Sequence, residues 1–223
     1  MRADRLVRVW LGATAAIVVA ATAAELANYA FRLDVDALDS SGDGGAFGAV
    51  GDVALWTAVL AAWLRFARAR RPAGVTVGLA VLLTFLALDK TFRLHDSIAD
   101  WPLYYLPILC ATLACLLTVA TRLRAPSLRL MGFACALLAV SLIIHFTGDG
   151  VVERLAGPGE GWAYQLKAVI KHGSELAGWL IVSLSLGLGA LEGAEAGSSA
   201  GAQAERRWPS GEPTSRRRTF ASG

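Results

Sequence analysis

The sequence predicts an all-α, polytopic integral membrane protein, and three observations carry that prediction. Hydrophobic residues make up 55% of the chain and charged residues only 17%, far from a soluble-domain profile. The mean hydropathy is +0.51. Apolar runs of about 20 residues, enough to cross a ~30 Å hydrocarbon layer, recur along the chain with charge gathered mostly between them. Together they predict one bundle of about six transmembrane helices over residues 1–190 and a disordered tail over residues 191–223.

The first element follows Arg2, Arg5 and Arg8. Basic residues, an apolar run and an Ala21-Thr22-Ala23 site have the outline of a signal peptide. Apolar character resumes after Glu25 with LANYAF, so a retained span near Val9–Phe31 is the expectation. The stretch Arg32–Gly48 reads as a loop. Its Asp34, Asp36, Asp39 and Asp43 lack the spacing and closing Glu of a calcium-binding EF-hand, which makes a solvated acidic loop the better reading.

The second span lies near Ala49–Phe66, with Asp52 at its start and Arg65, Arg68, Arg70 and Arg71 at or beyond its end. Pro72-Ala73-Gly74 interrupts the chain before a third span at about Val75–His95. The fourth covers about Leu103–Thr121, and the fifth follows Arg122, Arg124 and Pro126 and runs to about Gly148. Gly148-Asp149-Gly150 and Gly157-Pro158-Gly159 mark the next loop. The last helix begins near Gly161 and crosses between about Lys171 and Ala190. Beyond it the chain is small, polar and rich in breakers, without helical periodicity. Cys110, Cys115 and Cys135 lie in apolar segments without a CxxC or Cys-His spacing, so they read as packing residues. Abundant Ala, Gly and Arg beside three Lys point to a high-GC bacterial coding sequence.

Charge placement predicts the orientation. With six spans both termini share a side, and that side collects fifteen of the twenty-one basic residues. The positive-inside rule therefore puts both termini in the cytoplasm of a plasma-membrane protein. Acids and histidines fall on the other side: Glu25, Asp52, Asp89, His95, Asp96, His145, Asp149, Glu153, His172 and Glu175. The densest stretch is LALDKTFRLHDSIADWP at 86–102, where a continuous helix would bring Asp89, Arg93 and Asp96 onto one stripe.

Charge at the end of a membrane-length segment is costly unless it is paired, solvated in a cavity or used to bind an ion. His145 and Asp149 are i,i+4 neighbours, with Glu153 a turn further if the helix persists, and His172 and Glu175 are i,i+3 neighbours. Imidazoles and carboxylates projecting inward from several helices are how bundles hold metals. The expected site is thus an outward-facing pocket in which His95, Asp96, His145, Asp149, His172 and Glu175 ligate a divalent zinc, iron, manganese or copper ion. Asp89 or Glu153 would serve as general base or orient a ligand.

Such a pocket suits a metal-dependent hydrolase or oxidoreductase acting on a membrane lipid or other amphiphile. Two further readings stand beside it: a proton- or ion-coupled transporter, and a scaffold in which Asp89, Arg93 and Asp96, or Lys171 and Glu175, form interfacial ion pairs. Trp101, Tyr104, Tyr105, Trp162 and Tyr164 read as an interfacial aromatic belt in preference to a substrate platform. Nucleic-acid binding has no support, since the arginines flank spans instead of forming a patch with stacking partners.

Overall fold

A computed structural model describes residues 3–33, 35, 38, 46–69, 74–98, 101–156 and 161–207. The side chains of residues 3, 46, 95, 96, 102, 149, 155, 156 and 193–207 are outside that description. The acidic loop carrying Asp34, Asp36, Asp39 and Asp43, the Gly157-Pro158-Gly159 turn and residues 208–223 also lie outside the described residues.

The described residues form six α-helices: α1 Ala3–Phe31, α2 Ala46–Arg68, α3 Gly74–Phe92, α4 Trp101–Ala120, α5 Ala125–Ala156 and α6 Trp162–Arg207. All six contain a segment long and apolar enough to cross a membrane. Helices suit that setting because every backbone N–H and C=O finds its partner within the segment. Hydroxyls inside the spans do likewise by bonding back one turn, as Thr84 does to Ala80 O (2.7 Å), Thr112 to Ile108 O (2.8 Å) and Ser183 to Trp179 O (2.8 Å).

Helices α2 to α6 pack in a closed ring, each against its neighbours in sequence, with α6 returning to α2. α1 stands outside the ring and leans mainly on α6. In its apolar stretch α6 is 61% buried and α1 only 11%, so α6 is the most enclosed span and α1 the least. Small residues allow this close approach. On α2, Ala54, Ala58 and Ala62 at i, i+4 and i+8 are almost wholly buried. On α6, Gly178 faces α5 so closely that a Cβ there would stand 2.7 Å from Leu138 Cδ2. Indole N–H groups tie helices together where carbonyl or hydroxyl acceptors are in reach. Trp10 donates to Leu180 O (2.9 Å), Trp56 to Thr91 Oγ1 (3.1 Å) and Trp63 to Thr84 Oγ1 (3.0 Å).

Helix ends differ from expectation in three places. α3 stops at Phe92, because Arg93 takes a left-handed conformation (φ 51°) and a 3-10 turn follows at Leu94–Ser97. The stripe of Asp89, Arg93 and Asp96 therefore does not exist: a left-handed residue rotates the chain and ends the i, i+4, i+7 relation. α5 continues unbroken through Gly148–Gly150 to Ala156, where a loop was expected. α6 is longer than its apolar span, with its backbone helical to Arg207.

The end of α1 explains itself. Arg32 is left-handed (φ 47°), Leu33 N–H bonds to Asn28 O (3.1 Å) and Arg32 N–H to Tyr29 O (3.4 Å), which is a Schellman cap. The Asn28 side chain then holds both N and O of Val35, at 3.1 and 3.3 Å.

Candidate functional site: an amphipathic cavity inside the helix ring

At the end of the bundle that carries the α3–α4 and α5–α6 connections, the ring encloses a cavity of about 380 Å³. All five ring helices line it, and among the described residues α1 contributes nothing. Its chemistry changes with depth. Leu55, Leu86, Leu113, Leu116, Leu138 and Trp179 make an apolar floor. Asp52, Asp89, Lys90, Arg93, His145, Lys171, His172 and Glu175 make a charged mouth.

The mouth is built by side chains of consecutive residues leaving α3 in different directions. Asp89 is 5% exposed and accepts a hydrogen bond from the Tyr105 hydroxyl of α4 (2.5 Å). Lys90 turns to α6, where its Nζ meets Glu175 Oε1 at 2.8 Å. α3 and α6 are not neighbours in the ring, so this ion pair reaches over α2. Gly51 makes the crossing feasible, since a Cβ there would stand 3.0 Å from Lys90 Nζ. Asp52 is within electrostatic reach of Lys90, Glu175 and Arg93, and His172 Nδ1 lies 4.0 Å from Glu175 Oε2.

On the opposite wall Trp101 packs its ring edge-on to Tyr105 (centroids 5.7 Å apart) and tilted against His145 (5.2 Å).

Of the residues expected to carry chemistry, Asp89, His145, His172 and Glu175 share this cavity. Glu153 does not: it stands exposed near the end of α5 and is not part of the lining. The side chains of His95, Asp96 and Asp149 lie outside the described residues. The expected metal ligands do not assemble from the rest, for among the described residues no group of three or more His, Cys, Asp or Glu could hold a metal ion. The described donors are divided between the two walls of the cavity, Glu175 and His172 on one and His145 on the other. Glu175 is taken by Lys90, His145 packs between Trp101 and Phe146, and His172 stacks on Phe47 (centroids 6.2 Å). The partner of Glu175 is Lys90 on another helix, where i,i+4 spacing suggests Lys171.

The expected aromatic belt divides in two. Tyr104 and Trp162 are 59% and 58% exposed, as a belt requires, whereas Tyr105 is 5% exposed and lines the cavity together with Trp101. Tyr104 and Tyr105 differ by one residue, about 100° around a helix, and it is Tyr105 that turns toward α3, where it meets Asp89 and Phe85. The cysteines divide as well. Cys135 is buried as a packing residue, while Cys110 is exposed on the bundle surface.

A protein family described as a domain of unknown function, DUF8692, matches residues 10–188, a range that contains every cavity-lining residue named above. No curated protein matches the chain, and neither does any solved structure.

Proposed function

The chain belongs to the DUF8692 family, and from that premise of unassigned chemistry we propose that it is a membrane-embedded binding protein for an amphiphilic small molecule. One observation carries the reading: the cavity inside the helix ring combines a leucine-rich floor with a charged mouth. Its volume of about 380 Å³ falls within the ~300–1,000 Å³ of small-molecule sites.

An apolar chain gains little by leaving the bilayer for such a floor, because lipid tails are as apolar as leucine. Selectivity must then come from the headgroup and the charged mouth. The excess of basic residues at the termini side supports a mouth that opens away from the cytoplasm. Metal-centred chemistry would need several donors near ~2 Å from one point. Among the described residues no such group is assembled, and Glu175 is paired with Lys90, which favours ligand binding over that chemistry.

The test is saturable binding of a long-chain amphiphile to the purified full-length protein, read by native mass spectrometry. One molecule per chain is expected. Leu113→Trp, which fills the floor from α4, should abolish binding while leaving thermal stability near wild type. Absence of saturable binding to the wild-type protein would overturn the proposal.

A further inference from the structure

The cavity ends part-way along the helices, and where it ends bears on the length of chain it can hold. From His145 at the mouth to Leu138 at the floor, α5 descends about 10 Å at ~1.5 Å per residue. From Lys171 to Trp179, α6 descends about 12 Å. Tyr105 of α4 stands level with Asp89, and from there to Leu116 the descent is about 16 Å.

Beyond that floor the ring is packed. Within about one turn of its last lining residue, each ring helix buries an apolar side chain in the common core: Val59 on α2, Leu83 on α3, Val119 on α4, Ala134 on α5 and Val182 on α6. None of the five is more than 3% exposed. A core of this density takes further methylenes only by displacing its neighbours. The pocket is therefore blind at its apolar end.

Depth and volume give the same capacity. Tetrahedral carbons joined by ~1.5 Å bonds advance about 1.25 Å each in an extended chain, so a depth of about 10–16 Å takes about 8–13 carbons. At ~30 Å³ for a group the size of a water molecule, the 380 Å³ cavity holds about a dozen. A bilayer lipid carries two chains, each filling half of a ~30 Å hydrocarbon core, and that pair exceeds the space.

We propose that the cavity selects by chain length: its ligand is a single-chain amphiphile of about 8–13 carbons, with Trp179 of α6 and Leu116 of α4 setting the limit. This rests on the amphiphile-binding reading and adds the size of the apolar part. Trp179 is the bulkiest side chain of the floor and is itself buried in the core cluster, so it forms a firm stop. A shorter chain leaves floor atoms without contacts, and a longer one holds its headgroup above the charged mouth.

The experiment uses monoacylglycerols, whose uncharged headgroup keeps the mouth's charges out of the comparison. Octanoyl, decanoyl, dodecanoyl, tetradecanoyl and hexadecanoyl forms are bound at equal mole fraction to the full chain in digitonin, whose rigid steroid does not imitate the chain. Dihexadecanoylglycerol is the two-chain probe, and native mass spectrometry reads occupancy. The decanoyl or dodecanoyl form is expected to bind most tightly, the hexadecanoyl form at least about tenfold more weakly, and the two-chain probe without saturation. Trp179→Leu should move the preferred length up by about two carbons. Leu116→Ala, on the facing helix, should move it in the same direction and serves if Trp179→Leu fails to fold.

Equal binding from decanoyl to hexadecanoyl, saturable binding of the two-chain probe, or a preferred length unmoved by both floor variants overturns the length limit. If Leu113→Trp still abolishes binding in that case, the amphiphile pocket stands without it. Failure of every chain length to saturate removes both.

Discussion

The two ends of the bundle solve the same problem, polar groups among apolar helices, in opposite ways. At the cavity end, Asp89, Lys90, His145, His172 and Glu175 border open space. At the other end, polar groups fill the interface itself. Ser127 and Ser185 are fully buried, Ser185 donates to Ser127 O (2.7 Å), and Ser127 donates to Glu192 Oε1 (3.1 Å). Arg65 lies across Gly189, where a Cβ would overlap its Nη1 and stand 2.6 Å from Leu123 Cδ2.

Charge therefore does not by itself mark a binding site. The closed end shows that buried polar groups can serve as packing once their hydrogen bonds are met and a glycine yields the space. The open end retains volume that its side chains leave unfilled, and that volume is what suggests a ligand.

The contrast can be broken by removing bulk at each end. Leu186 is fully buried in α6, and Leu186→Ala should cost about 2–5 kcal/mol. Leu113→Ala only enlarges a space that is already open and should cost less than about 1 kcal/mol. Thermal unfolding of both variants in detergent checks this, and equal losses would mean the cavity is not open in the folded protein.

Adding bulk gives the next largest effect. Gly189→Ala must displace Arg65 and Leu123, so a loss of about 1–3 kcal/mol is expected. Gly51→Ala meets only the flexible tip of Lys90 and should cost less than about 1 kcal/mol, again measured as a shift in thermal unfolding.

The Lys90–Glu175 pair sharpens the comparison at the cavity end. Its side chains are 27% and 25% exposed, so part of its attraction is screened. Lys90→Met alone should destabilise by about 1–2 kcal/mol, because Glu175 loses its partner in a largely buried setting. The double variant Lys90→Met/Glu175→Met should recover most of that, giving a coupling of about 1 kcal/mol in a double-mutant cycle. Additive effects would show that the pair is not formed.

The smallest expected effect is that of a chelator. Amphiphile affinity measured before and after exhaustive EDTA treatment should agree within about twofold, and a large loss would return metal ligation to the site.

Much of this protein was legible in the chain itself. Six spans and the gathering of acids and histidines toward one end of them follow from local hydropathy and charge, which act over one helix at a time. The unbroken course of α5 through Gly148–Gly150 was not legible, because two glycines and an aspartate are as compatible with a loop as with a helix end. Nor was the left-handed turn at Arg93, which sends His95 and Asp96 onto a separate 3-10 turn.

What only tertiary structure decided is which side chains meet. Helical spacing relates residues one or two turns apart, so it suggests Lys171 for Glu175; the ring supplies Lys90 from a helix 85 positions away in the chain. The same ring turns Tyr105 to the cavity and Tyr104 to the surface. It also sets His145 against Trp101 and His172 against Phe47, contacts between helices that no spacing within one helix predicts. Hydropathy is a property of each segment and survives in the sequence, whereas contact between segments depends on their rotation and order around the ring, which no single segment encodes.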